Sequence, residues 1–261
     1  MEVRSLFLWL AVGAAAYAAT VLVWSWVIMA WLRSLMSSGP IDGALSILVR
    51  LWLRLFHHPT WIGWEQLPNR WRRVTPPEPD HGLIVVANHA SGVDPFVLQM
   101  QLRHRIRWMM SEDQMIPAFA NVWKHLEVLP VRYTADDAAT FREAVRHVRA
   151  GGVLGIFPEG GIARPPNEVR PFLPGVGVLV ARSKTPVLVA WIEGAPEAPN
   201  ARVSLFKQSH VRAHCLGVVD FAGQRDSSEI LRRLRQMILD ASGWPANDEP
   251  LPSAAPPTAG R

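Results

Sequence analysis

An uncharged stretch near the N-terminus is the feature that most constrains how this chain can fold. Residues 6–32 contain no Asp, Glu, Lys or Arg. As a helix rising about 1.5 Å per residue, they would reach about 40 Å, enough to cross a bilayer. The small residues between Ala14 and Ala19 allow a cleaved signal peptide, but its apolar part usually stops after roughly 7–15 residues. We therefore expect residues 1–33 to be an uncleaved membrane anchor.

Basic residues follow this anchor instead of preceding it. Only Glu2 and Arg4 are charged in the short flank before it. The positions that carry Arg soon after it are Arg33, Arg50, Arg54, Arg70, Arg72 and Arg73. This asymmetry predicts that the rest of the chain lies on the cytoplasmic face of the membrane. The net charge of +5 would also suit nucleic acid, but its position favours an anionic membrane surface, and we expect no nucleic-acid partner.

Residues 34–60 predict a second membrane element. One face of a helix over residues 41–56 carries apolar side chains at helical spacing, namely Leu45, Leu48, Trp52 and Leu55. Arg50 and Arg54 lie off that line, and eight of the twelve Trp residues precede residue 72, as in segments near a headgroup layer. An interfacial amphipathic helix and a helix packed on the protein core are equally compatible with this pattern.

Strands and helices alternate over residues 61–242, which we expect to form one catalytic domain. Short runs rich in Ile and Val predict strands at residues 82–87, 106–110, 152–157 and 186–192. Helices are predicted at residues 95–103, 135–150, 175–183 and 227–242. This order is typical of an α/β fold with a largely parallel central sheet flanked by helices.

Two segments are predicted to lack regular structure. Residues 67–81 hold several Pro residues, which is typical of a loop. The Pro- and Ala-rich residues 243–261 have no apolar periodicity, so we expect a disordered tail.

A His and an Asp mark the turn after the first strand of this domain. His89 follows the strand directly, and Asp94 precedes Pro95 as a helix cap would. On one regular helix they would lie about 140° apart, so only a turn lets them meet. A carboxylate that accepts a hydrogen bond from Nδ1–H leaves Nε2 free to take a proton from a hydroxyl. The pair predicts a general base, although a turn residue beside a helix cap is the commoner meaning of such a pair alone.

Three blocks together carry a family resemblance. They are Asn88-His89-x-Ser91-x-x-Asp94, Leu129-Pro130-Val131-Arg132 and Phe157-Pro158-Glu159-Gly160. In this order, over about residues 63–219, they resemble the glycerolipid acyltransferases, typified by lysophosphatidic acid acyltransferase. The combination is far more specific than any one motif.

The resemblance implies a reaction and a set of roles. A membrane-bound acyltransferase of phospholipid synthesis would move a fatty acyl group from acyl-CoA or acyl carrier protein to the hydroxyl of a membrane lysolipid. The expected acceptor is 1-acylglycerol 3-phosphate. By this resemblance His89 and Asp94 are the catalytic dyad, Arg132 contacts the acceptor's phosphate, and Glu159 with Gly160 shapes the acceptor site. The supporting motif residues are Asn88, Ser91, Phe157 and Pro158.

The third block departs from the family. Where Thr, Arg and Ser usually follow Glu159-Gly160, this chain has Gly161, Ile162 and Ala163. We expect Arg164 to supply the missing charge in the substrate site, with Arg170 as an alternative. A different lysolipid or an aminolipid acceptor therefore stays open, as do a non-catalytic lipid-binding protein of the same fold and a thioesterase.

No cofactor is expected, since the thioester is itself a co-substrate. His210, His214 and Cys215 are spaced closely enough to hold a metal, but the apolar alternation around them predicts a strand with no further ligand nearby. We therefore predict no metal site.

Overall fold

The domain is built on a seven-stranded sheet. A computed structural model describes residues 2–72, 82–132 and 137–251. The strands are β1 Thr60–Ile62, β2 Leu83–Ala87, β3 Ile106–Ser111, β4 Leu129–Val131, β5 Val153–Ile156, β6 Val187–Glu193 and β7 Arg212–Val219. Their order is β1-β7-β6-β2-β5-β3-β4, and every neighbouring pair is parallel except β6 with β7. The prediction of a largely parallel sheet is confirmed.

Helices precede and cover this sheet. Within the described residues they are α1 Glu2–Arg33, α2 Pro40–Phe56, α3 Asn69–Arg72, α4 Asp94–Gln99, α5 Ala120–His125, α6 Ala138–Arg149, α7 Pro174–Ser183, α8 Ala201–Ser204 and α9 Ser227–Ser242. Short 3₁₀ turns lie at Trp64–Gln66, Glu112–Gln114 and Pro117–Phe119. The predicted helix at 95–103 is thus shorter than expected, and β1 and β4 were too short to be predicted as strands.

Two apolar layers hold the sheet between the helices. Because side chains alternate along a strand, Leu83 and Val85 of β2 enter one layer while Ile84 and Val86 enter the other. The first layer includes Leu53 of α2 and residues of α4. The second layer is formed against α6, α7 and α9. All five side chains of β2 are buried, which explains its uninterrupted apolar sequence.

The carboxyl ends of the parallel strands meet at one edge of the sheet. Asn88, Arg132 and Phe157 follow β2, β4 and β5 directly, so the three sequence blocks reach the same edge. Open α/β sheets bind ligands outside the carboxyl ends of their strands. The topology therefore brings the blocks together although they are far apart in sequence.

The first helix is long, apolar and exposed. Residues Val12–Arg33 are long and apolar enough to cross a membrane, and none of that window is buried by the rest of the protein. Gly43 of α2 lies against the backbone of α1, where a Cβ would be only 2.0 Å from the Leu32 carbonyl oxygen. The two helices therefore meet at a position that only glycine allows.

Asp42, Ser46 and Leu53 of α2 face the domain, whereas most of its large apolar side chains face outward. The buried Asp42 accepts hydrogen bonds from Arg105 Nη2 at 2.5 Å and His125 Nε2 at 2.8 Å. Burial alone would raise the pKa of Asp42, but hydrogen bonds from Ser38, Arg105 and His125 hold it below the usual value. The large apolar side chains left exposed on α2 are Ile41, Leu45, Ile47, Leu48, Leu51 and Leu55. Leu45, Leu48 and Leu55 of the predicted apolar face thus point outward, whereas Trp52 packs against the core.

The predicted Pro-rich loop, residues 67–81, lies only partly within the described residues. Its first half contains α3, so it is more regular there than expected. Residues 73–81 and 133–136 lie outside the described residues.

The structure differs from the expected disordered tail over residues 244–251. Val169 forms a parallel bridge with Ala246, and Trp244 packs edge-on against Trp191 with ring centroids 5.7 Å apart. This segment lacks apolar periodicity because it is held mainly through backbone hydrogen bonds, which leave no sequence pattern. Residues 252–261 of the predicted tail lie outside the described residues.

Candidate active site

His89 and Asp94 meet across the turn between β2 and α4. His89 Nδ1 lies 2.9 Å from Asp94 Oδ2. The Asp94 side chain is fully buried, whereas 17% of the His89 side chain is exposed. A buried carboxylate that holds one ring nitrogen of a partly exposed imidazole can fix its tautomer and orientation. The predicted pairing of these two residues is present in the structure.

The Asp94 carboxylate also organises the turn itself. Oδ2 accepts hydrogen bonds from the backbone N–H groups of Ala90 and Ser91, both at 2.7 Å. Asp94 is the first residue of α4, and no side chain caps that helix. The sequence interpretation of Asp94 as a cap is therefore wrong in detail, because its side chain points back into the turn.

Aromatic rings set the plane of the imidazole. His89 stacks on Phe157 with centroids 3.9 Å apart and planes 9° apart. Phe157 stacks in turn on Trp108, with centroids 4.8 Å apart. Gly155 gives Trp108 its space, since a Cβ there would lie 2.4 Å from the indole. Trp108 was not predicted from sequence, because nothing in its local pattern separates it from a core aromatic.

The Asn88 side chain continues the sheet where the backbone of β2 turns away. Its Nδ2 donates to the Ile192 carbonyl at 2.9 Å, and its Oδ1 accepts from the Ile192 N–H at 2.7 Å. The start of the turn is therefore fixed to β6.

Glu159 holds the turn from the other side. Its Oε1 accepts the backbone N–H of His89 at 3.1 Å, and its Oε2 accepts that of Arg170 at 3.3 Å. Burial raises the pKa of this carboxyl from 4.5 to about 7, although both N–H donors lower it. Glu159 thus contacts the backbone of His89 and joins it to the backbone of Arg170.

Local structure explains why the chain has Gly at position 160 and Ser at position 91. Gly160 has a φ of 82°, and a Cβ there would lie 2.7 Å from the Leu173 side chain. Ser91 is fully buried, and its hydroxyl oxygen accepts the Val93 N–H at 3.4 Å. The hydroxyl is thus a turn acceptor.

Arg132 and Arg164 occupy different places. Arg132 follows β4, three strands from β2 and so about 14 Å across the sheet. Its exposed guanidinium pairs with Glu112. Arg164 lies beside the turn, where Nη1 donates to the carbonyls of Ala90 at 3.3 Å and Ala163 at 2.7 Å. The structure does not bring the two guanidinium groups to one point.

A side chain of α8, a helix distant in sequence, also hydrogen-bonds to the backbone of the turn. Gly92 N–H donates to Ser204 Oγ of α8 at 3.2 Å, and a Cβ on Gly92 would lie 2.4 Å from the Ala201 carbonyl oxygen. Sequence could not reveal this contact, because the partners are more than 100 positions apart. A small cavity of about 200 Å³ adjoins the turn at Ala90, with Trp244 in its wall.

The candidate metal ligands lie elsewhere. His214 Nε2 is 3.1 Å from Glu193 Oε1 and its ring stacks on Trp191, which places it in the sheet. Across the ranges that the structure describes, no group of three His, Cys, Asp or Glu side chains could hold a metal ion.

The raised pKa of Glu159 predicts a pH-dependent stability. Between pH 4.5 and about 7 the folded protein keeps a proton that the unfolded chain releases. The free energy of unfolding is therefore highest below pH 4.5, where Glu159 is protonated in both states. As the pH rises from 4.5 to about 7, this free energy should fall by about 3 kcal/mol. Denaturant unfolding in detergent at several pH values should show this slope in the wild type and not in Glu159→Gln. Parallel curves for the two proteins would contradict it.

Comparisons with known proteins agree with this fold. The crystal structure of the 1-acyl-sn-glycerophosphate (LPA) acyltransferase PlsC from Thermotoga maritima superposes with a TM-score of 0.61 at 21% identity. The match covers 77% of this chain and 79% of that one, and at this identity it shows a shared fold. A search among curated proteins found no match. The family model described as Acyltransferase matches residues 61–193, about half of the chain, and the protein therefore belongs to that acyltransferase family.

Proposed function

We propose that this acyltransferase moves a fatty acyl group from a thioester of coenzyme A or acyl carrier protein to the hydroxyl of a membrane lysolipid, with 1-acylglycerol 3-phosphate as the first acceptor to test. The observation that carries the proposal is the 2.9 Å contact between His89 Nδ1 and the buried Asp94 carboxylate. It leaves the other ring nitrogen, Nε2, available as a base. The similar protein from Thermotoga maritima is a 1-acyl-sn-glycerophosphate (LPA) acyltransferase, which supports the choice of this acceptor.

The reaction would proceed by general-base catalysis. Asp94 accepts a hydrogen bond from Nδ1–H, so neutral His89 takes the acceptor's hydroxyl proton on Nε2 as the oxygen attacks the thioester carbonyl carbon. The carbon–oxygen bond forms, the tetrahedral intermediate collapses, and the carbon–sulfur bond breaks. The imidazolium then returns its proton to the leaving thiolate. A base of this kind contributes roughly 10²–10⁴ in rate.

The reaction requires no metal or redox cofactor. A thioester already carries an activated acyl group, and no electrons are transferred in the exchange of one ester for another. The buried charge of Asp94 stabilises the imidazolium that forms during the attack. Glu159 would act beneath the turn, by holding the His89 backbone, and Gly160 would keep the third block close to it.

The choice of acceptor rests on two arginines. Arg132 is 59% exposed and its partner Glu112 is 47% exposed. Exposed ion pairs between flexible side chains are weak, so a phosphate can compete for the guanidinium. Arg164 is less available, because its two terminal nitrogens already donate to three carbonyls, including that of Ala198 at 3.0 Å. This occupied guanidinium favours, as a second candidate, an acceptor without a phosphate monoester, such as another lysolipid or an aminolipid.

An acyl-transfer assay tests the reaction. Purified full-length protein in detergent is given labelled acyl-CoA or acyl carrier protein and a panel of lysolipids. We expect transfer to at least one acceptor, and a loss of about 10²–10⁴ in kcat for His89→Ala. His210→Ala removes an exposed imidazole elsewhere and should keep its activity. A His89→Ala variant within about threefold of the wild type would rule out the base mechanism.

Other outcomes of the same assay separate the alternatives. Release of thiol without any acceptor would identify a thioesterase, and binding without turnover would identify a lipid-binding protein. A substitution of Arg132 tests its proposed contact with phosphate. Because Gln carries no charge, Arg132→Gln should raise KM for 1-acylglycerol 3-phosphate and leave KM for a neutral lysolipid unchanged. Equal changes in the two KM values would exclude that role.

The enzyme is proposed to work at the membrane surface, with the catalytic domain on the cytoplasmic face. The exposed apolar α1 supports membrane association, and the outward apolar face of α2 continues it. Trp52 of α2 packs edge-on against Phe96 of α4 at 5.4 Å, and its Nε1 donates to the Leu205 carbonyl at 3.2 Å. Phe206, next in sequence, is 72% exposed. Apolar surface thus lies beside the helix that begins at Asp94.

Labelled cysteines test this placement. In a Cys215→Ser background, an environment-sensitive fluorophore is attached at Leu48→Cys on α2 or at Gln236→Cys on α9. In vesicles, lipid-borne quenchers should quench the label at position 48 and not that at position 236, since α9 lies on the opposite layer. In intact cells, a membrane-impermeant maleimide should reach position 236 only after permeabilisation. Labelling of position 236 in intact cells would place the domain on the other face.

A further inference from the structure

We propose that residues 244–251, named here the C-terminal strap, position the base of the acyl-transfer site. The inference rests on the proposed function, because it gives the strap a role in that same reaction. It concerns a segment outside the three sequence blocks and beyond the residues that the family model matches.

The strap clamps a short segment that follows the third block. Val169 N–H donates to the Pro245 carbonyl at 3.1 Å, and Asn247 N–H donates back to the Val169 carbonyl at 3.1 Å. The Asn247 side chain adds a bond from Nδ2 to Glu168 Oε2 at 2.7 Å. These reciprocal bonds fix the backbone of Val169 on both sides.

Helix α9 holds the strap in place. Arg235 Nη1 contacts Asp248 Oδ1 at 2.8 Å. Its Nη2 donates to the carbonyls of Val169 and Asn247, both at 2.9 Å. One guanidinium therefore joins the strap, the clamped segment and a helix whose apolar face is part of the core.

The clamped segment continues directly into the bonds that hold the base. Arg170, next to Val169, donates its backbone N–H to Glu159 Oε2 at 3.3 Å. The other oxygen of Glu159 accepts the His89 N–H at 3.1 Å. From Val169, which the strap holds, the path to the backbone of His89 thus has one covalent step and two hydrogen bonds through a single buried carboxylate.

A second path runs through the side chain of Arg170, a residue that is only 6% exposed. Its Nη1 donates to the Glu249 carbonyl of the strap at 2.8 Å, and its Nη2 donates to the Arg164 carbonyl at 2.5 Å. Arg164 Nη1 in turn donates to the Ala90 carbonyl at 3.3 Å. The two paths therefore end on adjacent residues of the catalytic turn.

The ends of the strap also lie against the site. Trp244 forms part of the wall of the cavity that adjoins Ala90. The Leu251 side chain lies beside Gly161, where a Cβ would be 3.4 Å from it. Gly161 stands where the family has larger residues, so the strap occupies space that the altered third block leaves.

Loss of the strap should loosen the turn without removing any reacting group. The His89 and Asp94 side chains would remain, but the backbone bonds through Glu159 would lose support from Arg170. Since misplacement of about 1 Å can cost about 100-fold in rate, we expect kcat to fall about 10- to 100-fold. KM for the acyl donor should change little, because no strap residue is among the groups proposed to contact substrate.

Two truncations make the test. A chain ending after Gly243 lacks the strap, whereas a chain ending after Leu251 keeps every contact described above. Both are assayed beside the full-length protein and His89→Ala, below the thermal unfolding temperature of each. We expect the longer truncation to match the full-length protein and the shorter one to lose kcat. Addition of a peptide covering residues 244–251 should restore part of that loss.

The pH profile distinguishes positioning from a general loss of stability. The Arg170 N–H lowers the pKa of Glu159, so loss of that bond should move the acidic limb of kcat to higher pH. Asn247→Pro, which removes the two bonds that Asn247 donates to Val169 and Glu168, should shift the limb in the same direction, and Gln236→Ala on α9 should not. Unchanged kcat and pH profile in the strap deletion would overturn the proposal. Inactivity of the full-length protein itself would instead count against the proposed reaction.

Discussion

Two buried carboxylates hold three successive backbone N–H groups of the turn between β2 and α4, and the rest of the proposed site depends on this arrangement. Glu159 accepts the N–H of His89, and Asp94 accepts those of Ala90 and Ser91. Burying a carboxylate is costly unless hydrogen bonds compensate, and here the turn compensates only in part, because Asp94 Oδ1 accepts no hydrogen bond from the described residues. The negative charge of Asp94 is among the causes that raise the pKa of Glu159. The two carboxylates thus fix the turn at a cost in stability.

The sheet positions this turn, and a residue after the third block that differs from the family's pattern contacts it through backbone atoms. Ala163 donates its N–H to the His89 carbonyl at 2.9 Å, so this block still contacts the turn where the family's arginine is missing. The guanidinium of Arg164, one position on, turns to backbone carbonyls. The cation nearest to the missing one therefore supports the backbone of the turn and its neighbours.

Sequence could predict the elements whose signal is local. The alternation of apolar runs with amphipathic helices indicated the α/β class, and the motif spacing indicated the pairing of His89 with Asp94. The stacking of Trp108 and the support of Gly92 by Ser204 depend on contacts between distant segments, so no local pattern predicts them. Asp94 looked like a helix cap because that role has the same sequence signature as the turn-stabilising role. The tail looked disordered because backbone bonds to Val169 require no particular side chains.

Replacing Asp94 by Asn tests the central claim most directly. The amide keeps the size and one acceptor oxygen of the carboxylate, but its NH₂ group can favour the wrong tautomer of His89 and it cannot stabilise the imidazolium. We predict that kcat for acyl transfer falls by about 10³–10⁴ while circular dichroism and thermal unfolding stay close to those of the wild type. An Asp94→Asn protein that folds normally and keeps kcat within about threefold would contradict the account.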